Sequence, residues 1–280
     1  MKISLVLATV NRTTELKRFL ASLQSQSYRN YELIVVDQNP DTRLEPILTV
    51  YSDSFPIIHV RSEKGLSRAR NIGLRYVRGD IVAFPDDDCW YSPDILERVV
   101  SFFKENKKWD GLVGRSVDAN GQTTAGRFDL RSGSINKYNV WKRGISFSIF
   151  LRYKVVDTAG VFDEDLGAGA GTSWGSGEET DYLIRALKAG FKLFYDPSLT
   201  VGHANPVADY TVETINRALN YGAGMGWVLR KHGYPLWFVL YMWMRPLLGT
   251  LLAVGTGRLN KARYYWAVLR GRIIGWVARG

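Results

Sequence analysis

The 280-residue chain has very little cysteine. Its one cysteine, Cys89, cannot form a disulfide within the chain. This excludes the disulfide-stapled secreted domains and is typical of proteins from a reducing compartment. The apolar run at residues 3–8 is too short for a signal peptide, and polar residues follow it at once. We therefore expect a cytoplasmic protein whose first β-strand lies at residues 3–8.

Acidic residues are scarce in the last quarter of the chain. Residues 211–280 contain ten Lys or Arg residues and one acid, Glu213, whereas residues 1–210 contain 27 basic and 26 acidic residues. Nearly all of the net charge of +10 therefore lies in the tail. A basic tail indicates a polyanionic partner, either anionic lipid or nucleic acid.

Strand and helix patterns alternate up to about residue 110. The apolar spacing predicts strands at 3–8, 32–37, 57–60 and 80–84, helices at 13–26, 66–77 and 93–106, and a loop with a helix at 40–51. This order predicts an α/β fold with a parallel, doubly wound sheet and right-handed crossovers. Residues 111–150 are rich in Gly, Ser and Thr, which predicts hairpins or an irregular connection. A helix from residue 178 to Gly190 and a strand at 191–195 follow.

Three consecutive aspartates, residues 86–88, follow the apolar segment 81–84. Carboxylates this close repel one another unless a cation lies among them. In open α/β sheets, ligands bind at the carboxyl ends of the strands. Oxygen ligands at such an edge suit Mg²⁺ or Mn²⁺ together with substrate phosphates. The alternative is a solvated turn that precedes the next helix.

Several short motifs, in their order and spacing, resemble the inverting glycosyltransferases of family 2. The resemblance covers roughly residues 2–205. It is carried by Thr9-Val10-Asn11-Arg12, Asp37, Gly65-Leu66-Ser67-Arg68-Ala69-Arg70-Asn71-Ile72-Gly73, Phe84-Pro85-Asp86-Asp87-Asp88, Gly177-Glu178-Glu179-Thr180-Asp181, Ala189-Gly190-Phe191, Asp196-Pro197 and His203. The resemblance implies the GT-A fold for residues 1–206, a Rossmann-like, mostly parallel sheet flanked by helices.

The resemblance also implies a nucleotide-sugar donor and a Mn²⁺ or Mg²⁺ cofactor. Asp88 and Asp86, with His203 as an imidazole ligand, are expected to hold the cation. Asp37 is expected to contact the nucleotide base. The full set of expected nucleotide-binding residues is Thr9, Asn11, Arg12, Asp37, Arg70, Asp86 and Asp87. The alternatives are a packed histidine for His203, an exposed strand-end acid for Asp37 and surface cations for the arginines.

Inversion by a single displacement needs a carboxylate that takes the proton of the acceptor hydroxyl. Glu179 lies where the family usually has an aspartate base, and Glu178 and Asp181 are the other candidates. The alternative is that these acids only complement the dipole of a helix N-terminus. The glycine-rich segment 167–177 is similar to a mobile lid, in which Trp174 offers a face for an acceptor sugar. A plain surface loop is the alternative.

The tail, residues 207–280, lies outside the resemblance. Its apolar stretch 236–254 is close to the roughly 20 residues that span a bilayer. However, Arg245 lies at its middle, and Pro246 is expected to break the helix. We predict two interfacial helices bent at this pair, with a single kinked span as the alternative.

The last helical segment is predicted to lie on the surface of an anionic membrane. Its apolar stripe consists of Ala262, Tyr265, Trp266, Leu269, Ile273, Trp276 and Val277, with basic residues on both flanks. The alternative is a helix that packs on the catalytic domain or on a second subunit. Nucleic acid is disfavoured, because the basic residues alternate with bulky aliphatic ones.

Taken together, the sequence predicts an inverting, metal-dependent, hexosyltransferase-type glycosyltransferase. We expect it to lie peripherally on the inner face of the cell membrane and to act on a glycan or lipid-linked acceptor in cell-surface glycan or polysaccharide biosynthesis. One alternative is a nucleotidyltransferase that makes nucleotide sugars, although no glycine-rich phosphate loop follows the first strand. The other is a membrane-associated scaffold with a degenerate transferase domain.

Overall fold

The computed structural model describes residues 1–205 and 209–278. The chain forms two compact units. Within the described residues, the first unit contains residues 1–64, 68–162 and 182–205, and the second contains 65–67, 163–181 and 209–278. The predicted domain boundary between residues 206 and 207 lies outside the described residues. The second unit also includes two segments that were predicted to belong to the first domain.

The first unit is built on a mixed β-sheet. Its strands are β1 (Ile3–Thr9), β2 (Tyr31–Asp37), β3 (Ile57–Arg61), β4 (Ile81–Ala83), β5 (Cys89–Trp90), β6 (Gly111–Val117), β7 (Gly133–Ser134), β8 (Ile149–Arg152) and β9 (Leu193–His203). The strand order is β3-β2-β1-β4-β8-β6-β9-β5, and β7 pairs with β9. Strands β1 to β4 are parallel, and β8 is antiparallel to both β4 and β6.

The helices follow the predicted order. They are α1 (Thr14–Gln24), α2 (Glu45–Tyr51), α3 (Leu66–Leu74), α4 (Ile95–Glu105), α5 (Tyr153–Ala159), α6 (Glu178–Lys188), α7 (Val212–Lys231), α8 (Leu236–Gly255) and α9 (Leu259–Val277). The 3.6-residue period explains why α1 packs on the sheet, since its buried residues are Leu16, Phe19, Leu20 and Leu23. The predicted doubly wound, mostly parallel arrangement is confirmed for the first half of the sheet.

Residues 111–150 begin with β6 and end at the start of β8, two interior strands of the sheet, and the predicted irregular connection lies between them, apart from β7 and two short 3-10 helices. Two glycines of β6 allow close packing within the sheet. A Cβ atom at Gly111 would lie 2.5 Å from the side chain of Leu193, and one at Gly114 would lie 2.1 Å from the carbonyl oxygen of Leu199. Strand β9 is also longer than predicted and continues through Asp196 to His203.

Helices α7 and α9 of the second unit approach each other through small residues. A Cβ atom at Gly222 would lie 2.5 Å from the Val268 carbonyl oxygen, and one at Gly275 would lie 2.0 Å from that of Ala223. The buried residues of α9 are therefore mostly small, whereas Trp266 and Val277 of the predicted apolar stripe are exposed. The stripe is divided between a packed face and an exposed face.

The prediction of two helices bent at residues 245–246 is wrong, because α8 is one continuous helix with Pro246 inside it. Proline has no N–H group to donate to the carbonyl four residues earlier, that of Met242. In the structure, Arg272 Nη1 of α9 donates to this Met242 carbonyl. Within residues 1–205 and 209–278, α8 is the one helix long and apolar enough to cross a membrane, judged by length and composition alone.

Candidate functional site

The three aspartates lie at the carboxyl ends of the central parallel strands. Residues 86–88 follow β4 after two intervening residues, and Asp86 forms a parallel bridge with Ala8 of β1. The turn after β1 therefore lies beside the cluster. This is the edge of the sheet at which the sequence placed a ligand site.

Asp87 is buried and faces the turn after β1. Its carboxylate accepts hydrogen bonds from Thr9 Oγ1 at 2.7 Å and from Arg12 Nη1 at 2.7 Å. Burial raises the pKa of Asp87, and the negative charge of Asp88 adds to this effect, while Thr9 and Arg12 oppose it. For Arg12, burial acts to lower the pKa, but the two aspartates raise it overall. Arg12 therefore offsets the repulsion between two adjacent carboxylates.

Asp88 lies between Arg12 and His203. Arg12 Nη1 lies 2.5 Å from Asp88 Oδ2, and His203 Nε2 lies 3.3 Å from Asp88 Oδ1. Pairing of β5 with β9 places His203 opposite Cys89, and the imidazole stacks on the ring of Phe147 at 5.1 Å. His203 is thus held in place by backbone pairing and by an aromatic contact.

Asp86 is held by a buried arginine. Arg70 Nη2 lies 3.1 Å from Asp86 Oδ1, and Ser146 Oγ donates to Asp86 Oδ2 at 3.3 Å. Arg70 is only 1% exposed, and its guanidinium lies over the ring of Phe162 at 5.5 Å. The surface-cation alternative for Arg70 is therefore wrong. For Arg12, which is partly exposed, the structure shows pairing with the aspartates.

Asp86, Asp88 and His203 are the residues that the sequence predicted as cation ligands, and the structure places His203 beside Asp88. His203 Nδ1 lies 2.7 Å from the Ala204 carbonyl oxygen, so this nitrogen carries a hydrogen and Nε2 is directed toward Asp88. Burial acts to lower the pKa of His203, but the hydrogen bond and the charge of Asp88, with smaller contributions from Ala204 and Asp86, raise it overall. In the described part of the chain, no group of three His, Cys, Asp or Glu residues is placed so that it could hold a metal ion by itself. Phosphate oxygens commonly complete such a site for Mg²⁺.

Asp37 is fully buried at the end of β2, so the exposed-acid alternative is wrong. Its Oδ1 accepts hydrogen bonds from the backbone N–H and the side chain of Asn39 at 2.8 and 2.7 Å. Its Oδ2 lies 3.0 Å from both His59 Nε2 and Arg61 Nη1. A nucleotide base would have to share these contacts or replace one of them. Sequence reasoning missed His59 and Arg61, although the parallel register sets Arg61 opposite Asp37.

Asn11 has a left-handed backbone conformation, with φ of 58°. Its N–H donates to Asn39 Oδ1 at 2.7 Å. Asparagine tolerates this conformation better than most residues, and strained backbone is frequent at ligand sites. The contact links the turn after β1 to the segment after β2, where Asp37 ends the strand.

The three candidate bases lie in the first turn of α6, and these first four residues of the helix belong to the second unit. Asp181 is fully buried, and its Oδ1 lies 2.7 Å from Lys231 Nζ and 2.9 Å from His232 Nε2. Glu178 is buried beside Gly167, where an added Cβ would lie 3.1 Å from its Oε2. Glu179 is the one of the three that is partly exposed.

The glycine-rich segment is tied to the start of α3 within the second unit. Ser67 Oγ donates to the Leu166 carbonyl at 2.6 Å, and the Leu66 N–H donates to the Ala168 carbonyl at 2.9 Å. Trp174 stacks on Trp227, with ring centroids 5.1 Å apart and planes 5° apart. One face of Trp174 is therefore covered by a residue that the sequence did not single out.

Comparison with protein families identifies a match to the family described as Glycosyl transferase family 2 over residues 4–156. Glycosyltransferase AglE of Haloferax volcanii is 28% identical over 255 residues, which cover 86% of this chain and 79% of that protein. Pre-mycofactocin glycosyltransferase of Mycobacterium tuberculosis is 25% identical over 290 residues, which cover 97% of this chain and 57% of that protein. The chain thus spans little more than half the length of the second relative.

Solved structures share the fold at low sequence identity. S. aureus TarS, residues 1–349, superposes with a TM-score of 0.64 and 16% identity, covering 94% of this chain and 89% of that one. The mannosyltransferase PcManGT from Pyrobaculum calidifontis, in complex with GDP-Man and Mn²⁺, superposes with a TM-score of 0.64 and 15% identity. The match covers 97% of this chain and 87% of that one. Both similarities support the GT-A architecture.

Proposed function

The chain belongs to glycosyl transferase family 2, and we propose that it transfers a sugar, with inversion, from a nucleoside diphosphate sugar to an acceptor hydroxyl with the help of Mn²⁺ or Mg²⁺. The observation that carries this proposal is the group of aspartates 86–88 at the carboxyl ends of β1 and β4, held by two arginines and His203. Family membership disfavours the nucleotidyltransferase alternative.

In this proposal, Asp88, Asp86 and His203 hold the cation. When bound, the cation supplies Lewis-acid stabilisation of the departing diphosphate oxygens. Arg12 is partly exposed and can exchange one of its carboxylate contacts for a phosphate oxygen. Arg70 is buried and positions the Asp86 carboxylate, while Thr9 and Arg12 hold the Asp87 carboxylate, to which we assign contact with the ribose.

We assign the proton-accepting role to Glu179, because its side chain is partly exposed. Asp181 is buried against Lys231 and His232 and would have to lose these contacts to accept a proton from a substrate. It therefore acts as a positioning residue for the start of α6. Glu178 remains the second candidate, and Trp174 is proposed to contact the acceptor.

Nucleotide binding tests the donor site directly. UDP, GDP, dTDP and CMP are each added with Mn²⁺, and the melting temperature is measured. A ligand at a hundred times its Kd adds about 2.7 kcal/mol, which corresponds to a rise of about 5 to 10 °C for a chain of this size. We expect one nucleotide to produce this shift with Mn²⁺ and to lose most of it with a chelator. No shift with any nucleotide would instead support a degenerate transferase domain.

We further propose that the second unit binds the cytoplasmic surface of a membrane, where a glycan or lipid-linked acceptor would be reached. Helix α8 exposes large apolar side chains, including Trp237, Leu240, Leu251 and Leu252. Neither α8 nor α9 contains an acidic residue. An apolar surface with basic residues around it suits an anionic lipid interface.

Substitution of exposed leucines tests membrane binding without removing a helix. Replacing Leu248, Leu251 and Leu252 with serine removes about 3 kcal/mol of apolar transfer energy, so co-sedimentation with anionic vesicles should weaken about a hundredfold. The matched control replaces Val50, Leu130 and Val161, which are exposed in the first unit, with serine. Equal vesicle binding by both triple variants would contradict the proposal.

A further inference from the structure

One side of helix α7 contacts the segment 163–181, which contains the candidate bases and Trp174. Both elements belong to the second unit. The contacting residues of α7 recur at intervals of three and four, which places them on one side of the helix: Asn220, Gly224, Trp227, Val228 and Lys231. Because α7 lies outside the family resemblance, the sequence assigned it no part in the transfer reaction.

Glycine at position 224 allows the two backbones to approach closely. A Cβ atom at Gly224 would lie 2.1 Å from the Ser176 carbonyl oxygen and 2.8 Å from the Ser176 backbone nitrogen. Any larger residue would therefore force the segment away from α7. Two hydrogen bonds hold this approach. The Gly175 N–H donates to the Asn220 carbonyl at 3.1 Å, and Ser176 Oγ donates to the Tyr221 carbonyl at 2.8 Å.

The same side of α7 also holds both ends of the segment. Lys231 Nζ lies 2.7 Å from Asp163 Oδ2 and 2.7 Å from Asp181 Oδ1. Between these ends, Trp227 stacks on Trp174 with ring centroids 5.1 Å apart. A chain segment held at both ends and in between has few backbone conformations left to it. Helix α7 thus restricts where the side chains of this segment lie.

We propose that Gly224 and Trp227 of α7 are positioning residues for sugar transfer, Gly224 through Glu179 and Trp227 through Trp174. The inference rests on the proposed function, in which Glu179 accepts the proton and Trp174 contacts the acceptor, and it adds what places these two side chains. Glu179 follows Ser176 by three residues, so a shift of the backbone at Ser176 displaces the base. The tail therefore contributes to the reaction with the acceptor as well as to the proposed membrane contact.

The opposite side of α7 offers a matched control. A Cβ atom at Gly226 would lie 2.2 Å from the Arg272 carbonyl oxygen of α9, which is about as close as the approach at Gly224. Gly226 is two residues after Gly224 and so lies about 200° farther around the helix. Alanine at either position creates a backbone clash in the same helix, but only G224A directs the clash at the segment with Glu179.

The test measures acceptor kinetics and melting temperature on full-length G224A and G226A. Both variants should melt at a lower temperature. At a temperature where both are folded, G224A should lower kcat by about tenfold to a hundredfold, because a misplacement of about 1 Å has this order of effect. G226A should keep a near-native kcat there. Both should keep the nucleotide-dependent rise in melting temperature, because the residues proposed to bind the donor lie in the first unit.

Trp227 is tested without a backbone clash. W227A removes the ring that stacks on Trp174 and should raise the KM for the acceptor about twofold to tenfold, the effect of losing one aromatic pair, with little change in kcat. W227F keeps an aromatic face and should restore most of the acceptor affinity. An unchanged acceptor KM in W227A would overturn the role of Trp227.

A double variant separates the positioning role from the proposed function. If Gly224 acts through Glu179, G224A combined with E179Q should transfer no more slowly than E179Q alone. If E179Q is inactive but G224A keeps the same kcat as G226A, α7 does not position the base and the inference is wrong. If E179Q itself keeps native transfer, the proposed base is wrong, however the glycine variants behave.

Discussion

Replacing Asp88 with asparagine should lower kcat by at least about a hundredfold, since loss of one preorganised electrostatic contact to the transition state has this order of effect. Asp88 is the aspartate that contacts both Arg12 and His203. Asparagine keeps the shape of the side chain but removes the charge that attracts a cation. The metal-dependent rise in melting temperature with the nucleotide should be lost together with turnover, and both are measured on the same preparation.

The fold should survive this substitution. Arg12 keeps its contact with Asp87, and the repulsion that Asp88 exerts on Asp87 is removed. Asp110→Asn is the matched control, because Asp110 is an aspartate outside the site that likewise pairs with a cation, Lys154 at 2.6 Å, and accepts from the Lys192 N–H at 2.9 Å. The control should keep turnover and nucleotide binding. Near-native turnover of Asp88→Asn at saturating Mn²⁺ would mean that Asp88 does not hold the cation.

The sequence predicts the position of the aspartates at the carboxyl edge of the sheet, because an apolar strand pattern and polar residues directly after it occur together there. Buried apolar runs define β1 and β4, and polar residues follow each run directly. Parallel strands bring their carboxyl ends to one edge, so Thr9 and Arg12 meet Asp87 although they are far apart in the chain. The structure also brings Arg70 to Asp86 and His203 to Asp88.

Contacts that depend on tertiary packing could not be predicted from the sequence in the same way. Lys231 and His232 reach Asp181 from the end of α7, a helix outside the family resemblance. Residues 111–117 were predicted as part of an irregular connection, yet Gly111 and Gly114 allow close packing in an interior strand. Pro246 suggests a helix break, but Arg272, from the next helix, satisfies the carbonyl that proline leaves without a donor. In each case a partner distant in sequence reverses a local preference.

Replacing Glu179 with glutamine should reduce transfer by about a hundredfold to ten-thousandfold, which is the range of general base catalysis. Glutamine is similar in size to glutamate and cannot accept the proton of the acceptor hydroxyl. Donor binding precedes this step, so the nucleotide-dependent rise in melting temperature should be unchanged. Transfer from the donor is measured with the acceptor at saturation, so that a change in acceptor affinity is not mistaken for a change in chemistry.

Asp181→Asn distinguishes chemistry from positioning in the same helical turn. Loss of this buried carboxylate leaves Lys231 and His232 without one of their partners, which should cost about 1.5 to 3 kcal/mol and lower the melting temperature by about 3 to 12 °C. Its turnover should fall less than that of Glu179→Gln and should recover at lower temperature, because the defect lies in the fold. If Asp181→Asn instead abolishes transfer at an unchanged melting temperature while Glu179→Gln stays active, the proton is accepted by Asp181, and Glu179 serves only as a charge at the start of α6.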